Sequence, residues 1–460
     1  MKGFILAVVA VIIAYGLNYY RTSLPIVTGY AAKSLCTSVF LAKRDMDHVL
    51  DEDLGTYPFK YATFTLNHTD LSVTASILGF ARSTAVYRDG LGATLINELT
   101  VEQIRKQSFK LAVPPTSIQD DIPWPMGNKI DISSAPRNID QNQLDQAVND
   151  LFTEKDPSKL KRTRALVIVY DDYIIAERYA ANFSQHSKFQ GWSMTKSIIN
   201  ALIGLLIKEK ALNINDYAPV PEWNSTNDPR HFITIKHLLT QTSGLDFEEE
   251  YYSKSDATQM LFETSDMAAF AASHSLKYKP GTVCYYNSGT SNILSRIIRH
   301  TVGENLYHSF PYDNLFYKLG MNNFVMEVDT SGTFVGSSYS WGTARDWARF
   351  GLLYLNRGFY NGDQLLTKDW IEQSTTFAGS NQYGQYGFHV WLNTGKDNDS
   401  LNRRFPGVPT DMFYFSGFDG QSIFIIPSKK LVVVRLGLTK TPGGDYGADE
   451  FLSDVIRSLR

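Results

Sequence analysis

The stretch GWSMTKSIINALIGLL, residues 191–206, puts a serine and a lysine, Ser193 and Lys196, three positions apart at the head of an almost wholly apolar run. Its hydrophobic side chains (Ile198, Ile199, Leu202, Ile203, Leu205, Leu206, Ile207) cover more than one face of a helix over 193–210, which predicts a central buried helix. A serine hydroxyl is a weak nucleophile until a partner takes its proton. On a helix, positions three apart share a face, so the Lys196 amine reaches the Ser193 oxygen. To accept a proton near neutral pH that amine must fall well below its ordinary value of about 10.4. Burial among apolar side chains does this, because desolvation penalises the ammonium. The positive end of the helix dipole favours an anion forming at Ser193. S-x-x-K is nonetheless a common pair, and alone it also reads as a serine N-cap beside a snorkelling lysine.

Strands lie on both sides of this helix in the chain. RALVIVY (164–170) and YIIAERYA (173–180) are β-rich runs joined at Asp171-Asp172, a hairpin signal. MFYFSGF (412–418), QSIFIIP (421–427) and LVVVRLGL (431–438) follow near the C-terminus, and the last two are joined at Ser428-Lys429-Lys430. Leu144, Val148 and Leu151 are spaced as on a helix, and Phe451, Leu452, Val455, Ile456 and Leu459 form one stripe. The expected fold class is α/β (α+β). A central antiparallel sheet is built from N- and C-terminal strands, with flanking helices and an inserted α-rich lobe over 212–375.

Two further segments carry chemistry. KPGTVCYYNSG (279–289) offers Tyr285-x-Asn287 after a Pro-Gly turn. A phenol near Lys196 can serve as, or share, the general base, and the asparagine amide can hold both Lys196 and a substrate carbonyl. SGFDGQSIFIIP (416–427) has Gly417 and Gly420 where a strand begins, positions that let backbone approach a ligand. A backbone N–H there, with that of Ser193, can form an oxyanion hole.

Taken together and in this order, the three segments resemble the serine β-lactamase and penicillin-binding superfamily. They are most similar to its class C-related branch, which includes DD-peptidases, family VIII-type carboxylesterases and 6-aminohexanoate-dimer hydrolases. HLLTQTSGL (237–245), SSYSWGTARDWARFGLLYL (337–355) and YGFHVWLN (386–393) look like stretches of that branch, and the likeness spans roughly residues 160–440. The resemblance implies Ser193 as nucleophile, Lys196 as activating amine, Tyr285 as base and proton shuttle, and Asn287 as a contact of Lys196 and substrate. It implies the backbone N–H groups of Ser193 and Gln421 as oxyanion donors, with Phe418, Gly420, Tyr339 and Trp192 lining the substrate cleft. Where β-lactamases carry K-T-G or H-x-G, this chain has Phe418-Asp419-Gly420. With no cation there and an acid following, an ester or amide substrate without a carboxylate is favoured over a penicillin. A serine hydrolase working through a Ser193 acyl-enzyme is therefore expected. A DD-peptidase or β-lactamase, and a non-hydrolysing penicillin-recognising sensor, are the alternatives.

The remaining sequence bounds the context. Lys2 precedes GFILAVVAVIIAYGL, an apolar run short for a spanning helix, which needs about 20 residues, and typical of a signal h-region. Ala14 and Gly16 make an A-x-G-like cleavage site. Tyr19, Tyr20 and Arg21 would flank an uncleaved anchor instead, so both routes to export, periplasmic or membrane-anchored, stay open. The expected division is 1–20 as signal peptide or anchor, 21–150 as an extension of unknown role, and 151–460 as the hydrolase domain. In the extension, YATFTLNHTDLSVTASILGF suggests a hairpin around Asn67–Asp70 and PWPMGN (123–128) a rigid loop. A net charge of -3 over 460 residues, without a Lys/Arg block, excludes a nucleic-acid partner. Cys36 and Cys284 read as unpaired small hydrophobes. The nine histidines show no ligand-like cluster, so neither metal nor organic cofactor is implied. Asn67, Asn182 and Asn224 head N-x-S/T triplets, relevant only in a glycosylating host.

Overall fold

The computed structural model describes residues 2–79, 81–115, 119–131, 136–381, 384–395 and 402–460, and the chain divides into two compact units. The first comprises residues 1–108, 247–273 and 327–334. Its N-terminal helix, Lys2–Phe40, turns Ala31, Ala32, Leu35, Cys36 and Phe40 inward. A four-stranded antiparallel meander follows (Thr63–Asn67, Ser72–Ile77, Ala81–Arg88, Gly92–Ile96), and its first pair is the hairpin expected around Asn67–Asp70. Val73, Ala75 and Ile77 alternate inward along the second strand, the period of two that a one-sided sheet requires. A charge is buried in this unit. The Lys33 ammonium meets Glu327 at 2.5 Å, and that carboxylate also accepts from the Thr37 hydroxyl and the Ala93 N–H. Each lone pair in use lowers the cost of taking the ions out of water. Among the described residues, no helix is long and apolar enough to cross a membrane.

The second unit, residues 109–246, 274–326 and 335–460, contains all the residues singled out for chemistry. An antiparallel sheet of eight strands among the described residues runs in the order Gly379–Asn381, Gly384–Tyr386, Trp391–Leu392, Phe413–Gly417, Gln421–Ile426, Leu431–Gly437, Thr163–Tyr170, Tyr173–Tyr179. The expected joining of N- and C-terminal pieces happens between Leu431–Gly437 and Thr163–Tyr170, with Val433 opposite Ile168. The hairpin turn is Asp171-Asp172, both at positive φ (49° and 67°), the geometry that suits the twist of a tight hairpin.

Alternation along these strands serves two faces. Leu166, Ile168, Leu431 and Val433 pack with Leu144, Val148, Phe451, Leu452 and Val455 from the helices Gln141–Phe152 and Ala448–Ser458. The opposite face receives the helix Ala344–Leu355, whose Gly351 lies so close to Val432 that a Cβ would come within 2.6 Å of it. Deeper on that side runs the helix Thr195–Lys208, buried at every position from Thr195 to Leu206. Helices and loops dominate over residues 212–375, as expected. The PWPMGN loop is held rigidly by Arg349, which donates to Pro125 O, Gly127 O and Asn128 Oδ1 and lies 4.9 Å from the Trp124 ring centroid.

Candidate active site

Ser193 sits in a single 3₁₀ turn, Trp192–Met194, that leads into the buried helix, so the regular helix begins two residues later than the sequence predicted. The turn is tightly held. Gly191 N–H donates to Ser340 O (2.8 Å), and the Thr195 hydroxyl donates to Trp192 O (2.6 Å). Trp192, the residue before the serine, has φ +49°, a left-handed conformation costly for a bulky side chain and typical of functional turns.

The Lys196 amine lies 3.0 Å from Ser193 Oγ, as the spacing of three predicts. It is 1% exposed. It also contacts Ser288 Oγ (3.2 Å), the Ser337 carbonyl (3.0 Å) and the Tyr286 ring, whose centroid is 4.8 Å away. A second hydroxyl, a carbonyl and an aromatic ring thus stand around an amine set in an apolar helix.

Around the amine, residues 285–288 are arranged as follows. The Tyr285 phenol makes no hydrogen bond to Lys196, and the Asn287 carboxamide is used elsewhere. It caps the helix Ser288–Val302, accepting from Thr290 N–H (2.9 Å), and its amide donates to Tyr285 O (3.2 Å). The groups facing the amine are one residue further on, Tyr286 and Ser288. The physical reason is the extended chain between the Pro-Gly turn and the helix: adjacent side chains point to opposite sides there, so a register slip of one exchanges every partner. Tyr286 is 8% exposed and is stacked at 5.3 Å on Trp391. Gln241 holds the segment in place, accepting from Tyr285 N–H at its carbonyl (2.8 Å) and from Asn287 N–H at its side chain (3.0 Å).

The glycine-bearing strand end closes on the same turn. At Gly417 a Cβ would lie 2.2 Å from Gly191 O, so this glycine lets the strand close on the Ser193 turn. Phe418 follows and meets the Trp192 ring edge-on at 5.6 Å. Gln421, whose backbone N–H is the expected second oxyanion donor, is the cross-strand partner of Gly417. Its buried carboxamide donates to Phe418 O and Gly437 O and accepts from Gly437 N–H, which ties the turn together. Gly420, assigned to substrate, is enclosed by protein: a Cβ there would meet Arg435 Nη1 at 2.7 Å and Gly444 O at 2.8 Å. Tyr339 is 2% exposed and lies 6.4 Å from the Trp192 ring, supporting it from below rather than facing solvent. Trp192 and Phe418 are half-buried and form an aromatic rim beside Ser193. Asp419 is buried and paired with Lys440 at 2.6 Å, so a cation from the following segment balances its charge.

Both cysteines are free, and burial pushes the Cys36 thiol up to about 12, far from thiolate reactivity. Among the described residues, no three His, Cys, Asp or Glu side chains converge as metal ligands.

Comparison with known proteins agrees with this architecture. The family model described as Beta-lactamase matches residues 151–454. The chain belongs to the β-lactamase family and is a hydrolase of that family. It is 21% identical over 329 residues to the 6-aminohexanoate-dimer hydrolase of Paenarthrobacter ureafaciens, covering 65% of this chain and 79% of that protein. Among solved structures it is similar to a family VIII carboxylesterase (TM-score 0.55, 15% identity, 71% of this chain and 97% of that one). It is also similar to a penicillin-binding protein homolog from Caulobacter crescentus (TM-score 0.56, 14% identity, 71% and 98%).

Proposed function

We propose that the chain hydrolyses an ester or amide bond of a small molecule through an acyl-enzyme on Ser193. The observation that carries this reading is the Lys196 amine, buried in an apolar helix and 3.0 Å from Ser193 Oγ. The neutral amine and the Tyr286 phenol form the proton-accepting pair, and Ser288 holds the amine in line. As Ser193 Oγ bonds to the substrate carbonyl carbon, its proton passes to that pair. The carbonyl oxygen becomes an oxyanion held by the backbone N–H groups of Ser193 and Gln421. Collapse breaks the C–O or C–N bond, and the pair returns the proton to the leaving alcohol or amine. Water then attacks the acyl carbon, gives its proton to the same pair, and releases the acid and free Ser193.

The rim of Trp192 and Phe418, and the internal neutralisation of Asp419 by Lys440, favour an uncharged acyl group. Steady-state kinetics on nitrocefin, a short p-nitrophenyl ester and a linear amide test this. Turnover of the ester or amide above that of nitrocefin is expected, and faster nitrocefin turnover refutes the preference. A penicillin-recognising sensor would label once and remain acylated, whereas a hydrolase recovers.

The same reading takes the apolar N-terminus as an export or anchoring segment. Phe4, Ile5, Leu17 and Tyr20 stand exposed on its helix, which supports this. Fractionation and the intact mass of the mature chain test it: a full-length chain in the cytosol would contradict it.

A further inference from the structure

A fully buried imidazole stands behind the amine. His389 Nδ1 lies 3.1 Å from the Lys196 carbonyl oxygen, which can only accept, so Nδ1 carries the proton. Nε2 is then the acceptor, facing the Gln241 amide nitrogen (3.3 Å) and the Ser291 hydroxyl (3.4 Å), both donors. The backbone around it is equally engaged: His389 N–H donates to Leu239 O (3.1 Å), and its carbonyl accepts from the Ser197 hydroxyl (2.7 Å). The residue is held at φ +52°, outside the ordinary regions for a side chain of this size. Burial pushes the imidazole down to about 3, so it stays neutral at working pH. A proton on Nε2 would confront the Gln241 amide.

Gln241 carries the connection onward. Its side-chain oxygen accepts from Asn287 N–H (3.0 Å) and from the Thr290 hydroxyl (2.9 Å), and its carbonyl accepts from Tyr285 N–H (2.8 Å). An unbroken set of hydrogen bonds thus runs from the Lys196 carbonyl through His389 and Gln241 to the segment that bears Tyr286 and Ser288.

We infer that His389 and Gln241 are positioning residues that fix the separation between the Lys196 amine and the Tyr286–Ser288 pair. The inference rests on the acyl-enzyme reading above. Neither side chain touches substrate in this account; both act through the groups they hold. A displacement of about 1 Å at a reacting group costs up to about 10²-fold in rate, so the tether matters more than the strength of any one of its bonds.

The test uses His389→Ala, His389→Asn and Gln241→Leu in the full chain, with folding checked by circular dichroism. Acylation by a fluorophosphonate probe and the pH profile of kcat/KM on a p-nitrophenyl ester are measured. His389→Ala is expected to slow acylation about 10–100-fold with KM within about 3-fold. It should also shift the acidic limb of the profile by about half a pH unit, because the proton is shared across a separation that is no longer fixed. His389→Asn, whose amide reaches the Lys196 carbonyl, recovers part of the rate. Gln241→Leu, near in volume, reproduces the pH signature with His389 intact, and it carries the test alone if His389→Ala does not fold. A folded variant of either residue with wild-type acylation and an unshifted profile overturns the positioning role alone. A wild-type chain that is not labelled on Ser193 overturns the hydrolase reading and this inference with it.

Discussion

The Lys196 amine sits 4.8 Å from the centroid of the Tyr286 ring, while the adjacent Tyr285 phenol makes no hydrogen bond to it. Two neighbouring tyrosines therefore have opposite expected weights in the reaction.

Tyr286→Phe should lower kcat by about 10²–10⁴-fold, the range for loss of a general acid–base group, while the stacking on Trp391 keeps the chain folded. Tyr285→Phe should stay within about threefold of wild type on the same p-nitrophenyl ester. A reversed ranking would restore Tyr285 to the role that the sequence suggested.

Ser288→Ala removes a hydroxyl 3.2 Å from the amine, which also meets Ser193 Oγ and the Ser337 carbonyl. A net hydrogen bond is worth about 1 kcal/mol, so a fall in kcat of about 5–10-fold is expected, without loss of thermal stability beyond a few degrees. An unchanged kcat would show that Ser288 plays no part in holding Lys196.

Stability should depend on pH through His389. The imidazole is depressed to about 3 when folded, whereas the unfolded chain titrates near its ordinary 6.5. Below that value the unfolded state binds a proton that the folded state refuses. The contribution is therefore intact above about pH 6.5 and lost progressively as pH falls toward 3. At pH 5 the loss amounts to about 2 kcal/mol. Urea unfolding at pH 7.5 and pH 5 should show wild type losing about that much more than His389→Asn. Equal losses in the two proteins would mean the imidazole is not buried neutral.

Gly417→Ala places a methyl group 2.2 Å from the Gly191 carbonyl oxygen, backbone against backbone, so the strand must retreat from the Ser193 turn. Overpacking of this kind costs about 1–3 kcal/mol, and the displaced strand should lower kcat at least about 10-fold. Wild-type kinetics in this variant would remove the strand end from the account.

Much of this arrangement is legible in the sequence, and the limits have physical causes. The alternating runs at 164–180 and 421–438 identify their strands because each face is buried by a different helix. The buried helix is evident from apolar residues on more than one face, and Ser193 and Lys196 meet because helical geometry is local. That Tyr286 and Ser288 are the side chains beside the amine is not legible, because an extended segment carries no internal mark of which side faces it. Only the cap that Asn287 gives to the next helix decides it. His389 and Gln241 lie within YGFHVWLN and HLLTQTSGL, but their meeting behind Lys196 joins positions 148 residues apart, which no local pattern reveals. The packing of Gly420 against Arg435 and the tie from the Gln421 carboxamide to the Gly437 backbone are likewise contacts between distant strands that glycine content alone does not reveal.

The most direct measurement is peptide mapping by mass spectrometry after reaction with a fluorophosphonate. One stoichiometric adduct on Ser193 is expected in wild type, absent in Ser193→Ala and nearly absent in Lys196→Ala. An adduct on another residue, or undiminished labelling when Lys196 is removed, contradicts a serine activated by a buried amine.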